Sequence, residues 1–198
     1  MSLAQKAWIR VTMHHVILAW LRAERNTNVA AALSRFPWLL WAPGISKLLD
    51  SPDLNDSEEN RARLRIMYLI RNVFVLEIPP DTEWYNVRSL TDSELSELHT
   101  VNYQTWNDPA DQNELRNVAA RKPLVLNELP SKWETPILWG HDRNGPFTIL
   151  EGNNRLTAYA GSAQSGLDIP VLIGLSPMRC HWHLLDRSPL LIYDLIMK

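Results

Sequence analysis

The stretch from residue 147 to 160, Phe-Thr-Ile-Leu-Glu-Gly-Asn-Asn-Arg-Leu-Thr-Ala-Tyr-Ala, constrains the fold of this chain more than any other. It reads as a short apolar strand, a sharp polar turn at 151–154 and a helix opening near Arg155. The first N–H groups of a helix have no intrahelical partners, and the helix dipole adds partial positive charge there, so a strand–glycine turn–helix unit is suited to phosphate. Gly152 permits a positive φ or close approach of a ligand to the backbone. Arg155 offers a planar fork of donors that matches phosphate oxygens. Glu151 stands where a metal ligand or a proton acceptor is useful. The alternative reading is a capped turn alone, since asparagine is favoured there for local reasons.

The elements around this unit set the class. In the first part of the chain, residues 2–32 carry Trp8, Val11, His15, Leu18 and Leu21 at helical spacing. The segment 36–43 is aromatic and framed by prolines, which predicts a break between helices and, if exposed, a surface for a protein partner. A polar loop at 50–56 precedes a helix expected over 58–71, capped by Asp56 or Ser57. Arg61, Arg63, Arg65 and Arg71 give that helix a basic run, read as a solvated face or, alternatively, a nucleic-acid contact. Residues 73–78 are strand-like and are stopped by Pro79 and Pro80. A loop is expected over 81–89. Thr91 then caps a helix over 92–99, with Glu94 at the capping-box position. Residues 136–139 and 147–150 form two strands joined by a turn at 142–145, where Asn144-Gly145 signals a hairpin. Residues 169–174 make a further strand, and 184–198 close the core.

Composition narrows the function classes. A net charge of −2 argues against a strongly basic, nonspecific nucleic-acid binder. The single cysteine, Cys180, forbids an intramolecular disulfide, so a cytoplasmic location is expected. No apolar run is long enough to span a bilayer. Nine tryptophans point to packing. His14 and His15 are adjacent on a helix and so make a poor chelating pair. Cys180-His181-Trp182-His183 is a rival site, with zinc ligands in alternation on a strand. A complete zinc site needs two more ligands, and packing is the competing reading.

The segments at 136–139, 147–160 and 169–173, in that order, resemble the ParB/sulfiredoxin fold, also called the ParB-like nuclease domain. That family shows a Pro-Ile-x-Val strand, an Asp/Glu-Gly-x-x-Arg-x-x-Ala helix start and a Val-Pro-Val strand. The helix near 90–98 is similar to the family's acidic helix, and Arg88 falls at the place of its loop arginine. The resemblance covers about residues 72–175, with an insertion near 101–134. It implies an α+β fold, a ParB/sulfiredoxin-like mixed sheet with helices at 72–198, and a helical N-terminal extension at 1–71 packed upon it. It further implies binding of ATP or another nucleoside triphosphate with Mg²⁺. Phosphates would lie on Gly152, Asn153, Asn154, Arg155 and Thr157, with Arg88 as a further contact and Glu151 and Arg155 carrying hydrolysis or phosphoryl transfer. Departures matter. The turn lacks the sulfiredoxin cysteine, the double arginine of the segregation clamps and the histidine of the serine-kinase-like members. Too little chain follows Gly174 for a clamp's further domains. The alternative is a DNA-interacting regulator or nuclease of plasmid or phage type, similar to small fertility-inhibition proteins of the Osa type.

Overall fold

The structure is a computed structural model, and it describes residues 6–35, 44–91, 94, 98–100, 135–152, 156 and 167–180. These residues form an α+β arrangement: a mixed sheet with helices packed on one face.

The chain opens with a strand, β1 (Trp8–Val11). This corrects the expectation of one helix from residue 2 to 32. The helical spacing of Trp8 and Val11 also fits strand alternation over so short a run, and the break comes at Thr12. There the backbone is extended (φ −94°, ψ 163°) and starts helix α1 (Met13–Ala23). The Thr12 N–H donates to His15 Nδ1 at 3.3 Å, with the Thr12 hydroxyl 2.9 Å from the same nitrogen. One turn of α1 is thus closed by a histidine acting as a cap, in keeping with a structural role for His15.

After Glu24 the helix widens into a π-turn (Arg25–Val29), where the Val29 N–H reaches the Glu24 carbonyl at 3.0 Å. Two short helices follow, α2 (Ala30–Arg35) and α3 (Ile45–Leu49). The proline-framed aromatic segment at 36–43 lies outside the described residues.

Helix α4 (Ser57–Glu77) is capped by Asp56, whose Oδ1 accepts from the N–H groups of Glu58 (2.8 Å) and Glu59 (3.1 Å). The helix therefore swallows the apolar run at 73–78, which was expected as a strand. A short apolar run has no period of its own that separates strand from buried helix, and Pro79 ends either. Arg71 breaks the regularity inside α4 (φ −144°, ψ 39°). Its guanidinium pairs with the buried carboxylate of Glu24, which also accepts from Asn28 Nδ2 at 2.5 Å. One carboxylate thus ties the π-turn to the break in α4. The expected division of the chain at 71/72 falls within α4, and β1 belongs to the sheet, so the first 71 residues are not a purely helical extension.

The sheet has six strands in the order β1-β2-β6-β4-β5-β3, with β2 Glu83–Leu90, β3 His99–Thr100, β4 Ile137–Gly140, β5 Thr148–Glu151 and β6 Leu167–Leu175. Strand β2 occupies what was expected as a loop. It lies between β1 and β6, antiparallel to both. The expected hairpin is present: β4 and β5 are antiparallel. In its turn Gly145 has φ +75°, and the Asn144 N–H donates to Asp142 Oδ1 at 2.6 Å. Strands β6 and β4 run parallel, as do β3 and β5.

Alternation along the strands builds two apolar layers. On one face Trp84, Ile137, Trp139, Leu150 and Leu172 meet α1, α3 and α4 through Val16–Leu21, Leu48, Leu49, Ile66 and Met67. On the other, Val87, Leu138, Ile149, Val171 and Ile173 pack with Phe147 and Leu156. Trp20, Trp84 and Trp139 are core residues, as the tryptophan count led one to expect.

Candidate functional site

The strand–turn–helix unit has the predicted local geometry where it is described. Strand β5 ends at Glu151, opposite Ile137 of β4. Gly152 follows with φ +96°, in the region that disfavours side chains, and it is buried. The Leu156 N–H then donates to the Gly152 carbonyl at 2.9 Å, which closes the first helical turn. Leu156 is buried in the apolar layer of Val87, Leu138 and Ile149. The glycine therefore serves a definite purpose: it reverses the chain so that a residue four positions on can be driven into the core.

A β-bulge lies at the strand end. Ile137 pairs with Glu151 and Leu138 with Ile149, which leaves Leu150 as the extra residue. Bulges bend a strand and re-aim the side chain that follows, here half-buried Glu151. Nothing in the sequence signals this bulge.

Arg88 lies on β2, opposite Pro170 of β6, and is exposed. The rows of the sheet place it relative to the turn. Glu151 is level with Ile137, Leu172 and Asn86, so Arg88, two residues past Asn86, reaches the same end of the sheet. Three strand spacings separate the strands themselves, about 14 Å. Arg88 and Glu151 thus share an end of the sheet without forming one compact cluster. Asn153, Asn154, Arg155 and Thr157 lie outside the described residues.

That end of the sheet also holds a pair that sequence reading did not single out. Lys6, just before β1, donates from Nζ to Glu94 Oε2 at 2.6 Å, and both side chains are largely buried. Glu94 Oε2 also accepts the Thr91 N–H at 2.8 Å, while the Glu94 N–H donates to Thr91 Oγ1 at 3.3 Å. The capping box is present as expected, and its carboxylate doubles as the lysine's counter-ion.

The basic run of α4 is not one solvated face. Arg61 is exposed and pairs with Glu58 at 2.8 Å. Arg63 is only 1% exposed. It donates to the carbonyls of Leu48 (3.1 Å) and Asp53 (2.9 Å), to Glu59 Oε2 (3.2 Å) and to Asn60 Oδ1 (2.6 Å). The Asp53 N–H, followed by Lys47 and Arg63, holds the Glu59 carboxyl below the usual carboxylate range, against the burial that raises it. Such a network is structural, and it removes Arg63 from any nucleic-acid contact. His14 is pushed down from the ordinary histidine value by burial first, and then by the charges of Arg63 and His15.

Cys180 is buried and a free thiol, with Sγ 3.5 Å from the Glu77 carbonyl. His181, Trp182 and His183 lie outside the described residues. Among the described residues no three of His, Cys, Asp and Glu are grouped so as to hold a metal, and no helix is long and apolar enough to cross a membrane. In comparisons with protein-family models, curated proteins and solved structures, nothing matches this chain.

Proposed function

We propose that the chain binds a nucleoside triphosphate at the turn after β5, on a ParB/sulfiredoxin-like form of the α+β fold, and couples binding to hydrolysis or phosphoryl transfer. The observation that carries this reading is Gly152: a buried residue at φ +96° between a strand end and the first turn of a helix. That geometry aims unpaired N–H groups at one spot beyond the sheet. In the proposed site Asn153, Asn154 and Thr157 donate to phosphate oxygens alongside those N–H groups. Arg155 stabilises charge that builds in transfer. Arg88 supplies a second contact to a ligand long enough to cross the sheet end.

A lone carboxylate at Glu151 suits Mg²⁺, which keeps several waters and takes its other ligands from the phosphates. Bound there, the ion would neutralise charge on the phosphates. Glu151 would hold it, directly or through water, or orient the acceptor.

Thermal melting with ATP and with CTP, each with and without Mg²⁺, tests the proposal. A ligand at a hundred times its Kd stabilises by about 2.7 kcal/mol, which for a chain of this size is a rise of about 5–10 °C. Arg155→Ala should abolish that rise while leaving the unliganded melt in place. No rise with any nucleotide sinks the reading, and salt-dependent retention of DNA in its place favours the DNA-interacting alternative.

A further inference from the structure

Strand β1 is the edge of the described sheet on the side away from the hairpin, and Ile9 on it is 66% exposed, the most exposed large apolar side chain among the described residues. Edge strands that present an open row of N–H and C=O groups are templates for another strand, and a β-branched side chain left in water there is a cost without a partner. We infer that β1 pairs with β1 of a second copy of this chain, antiparallel, across a two-fold axis perpendicular to the sheet.

The argument for a second copy rests on self-complementarity. Trp8 and Arg10 share the face of Tyr85, with Trp8 and Tyr85 edge to face at 5.5 Å. Ile9 and Val11 share the opposite face, where Val11 packs against the core beneath the helices. A two-fold axis perpendicular to the sheet keeps like faces together, so residues opposite one another must come from the same set. Three registers satisfy this near the strand's centre. Centred on Arg10, the two arginines oppose each other, which is unfavourable. Centred on Trp8, Lys6 opposes the partner's Arg10, again like charges. Centred on Ile9, the two isoleucines meet on one face, and on the other each Trp8 meets the partner's Arg10, a cation–π pairing made twice. Arg10 is free to serve, because its ion pair with Glu83 at 2.8 Å is exposed on both sides and worth little. Four residues of pairing bury little area, so the association is weak and depends on concentration.

Sedimentation of the full chain across a wide concentration range should show the average mass climbing from monomer toward dimer. Ile9→Lys, at an exposed position, should keep the melting temperature and weaken association by about tenfold or more, since it sets like charges opposite. The register is tested by oxidation. Ile9→Cys should cross-link into a disulfide dimer, because directly opposed Cβ atoms come within reach, whereas Arg10→Cys should not, because its copies stand diagonally about 7–8 Å apart. A monomer at every concentration, association indifferent to Ile9→Lys, or cross-linking through Arg10→Cys in place of Ile9→Cys overturns the inference.

Discussion

Replacing Arg63 by methionine should be among the most damaging single changes in the helical layer. Its guanidinium makes four hydrogen bonds: to the end of α3 at Leu48, to the loop at Asp53, and to Glu59 and Asn60 on its own helix. Methionine keeps the bulk of the stem and removes every donor. The Leu48 and Asp53 carbonyls then lose their guanidinium donors, and Glu59, also buried, keeps only the Asp53 N–H and Lys47 at 3.2 Å. Removing one partner of a buried pair costs about 3–5 kcal/mol, against well under 1 kcal/mol for an exposed pair such as Arg61–Glu58. For a chain of this size that is a drop of about 6–20 °C in melting temperature. Urea denaturation of Arg63→Met and Arg61→Met, run side by side, measures both. The double variant Glu59→Gln/Arg63→Met should lose less than the sum of its singles, since the two groups act as a unit. If Arg63→Met costs no more than Arg61→Met, or the losses simply add, the buried network does not hold the helices as argued.

Two further outcomes follow from other parts of the fold. His14 has a lowered proton affinity in the folded chain, so below its ordinary value of 6.5 the unfolded chain takes up the proton first. Stability should therefore fall as pH drops below that point; His14→Gln should flatten this part of a pH–stability curve, and an unchanged curve would show that His14 plays no part. Gly174→Ala should destabilise the centre of the sheet by about 1–3 kcal/mol, because the new Cβ would sit 2.8 Å from two ring atoms of buried Trp84 and 2.9 Å from Thr82 Cγ2. A neutral or stabilising result in chemical denaturation would mean that Trp84 moves freely, contrary to its packing.

How far the fold is legible in the sequence depends on where each segment's partners lie. Asp56, Thr91 with Glu94, and the Asn144-Gly145 turn act on residues a few positions away, and each reads correctly. Gly152 does too, because a positive φ is a local demand. The failures are all matters of distant contact. Residues 83–90 carry Glu83, Asn86 and Arg88, which read as loop; β6, far along the chain, makes them a strand. Trp8–Val11 is a strand only because β2 lies beside it. Arg63 reads as surface among its neighbouring arginines, and only the approach of α3 and the loop at Asp53 buries it. At the candidate site the same division holds: the turn is local and legible, whereas the reach from Arg88 to Glu151 and the bulge at Leu150 are set by strand order and register.

The position of β6 has a consequence for how the molecule is made. It is the last strand of the described chain, yet it sits in the middle of the sheet, between β2 and β4. Until residue 175 has left the ribosome, β1 with β2 and β4 with β5 are two separate ribbons, each with an open edge and an uncovered apolar side. Closure joins pieces far apart in sequence, which makes it slow relative to the helices that form from neighbouring residues. The nascent chain is thus most exposed to misassembly just before it is complete, and a polypeptide cut short ahead of β6 would carry four strands without the one that unites them.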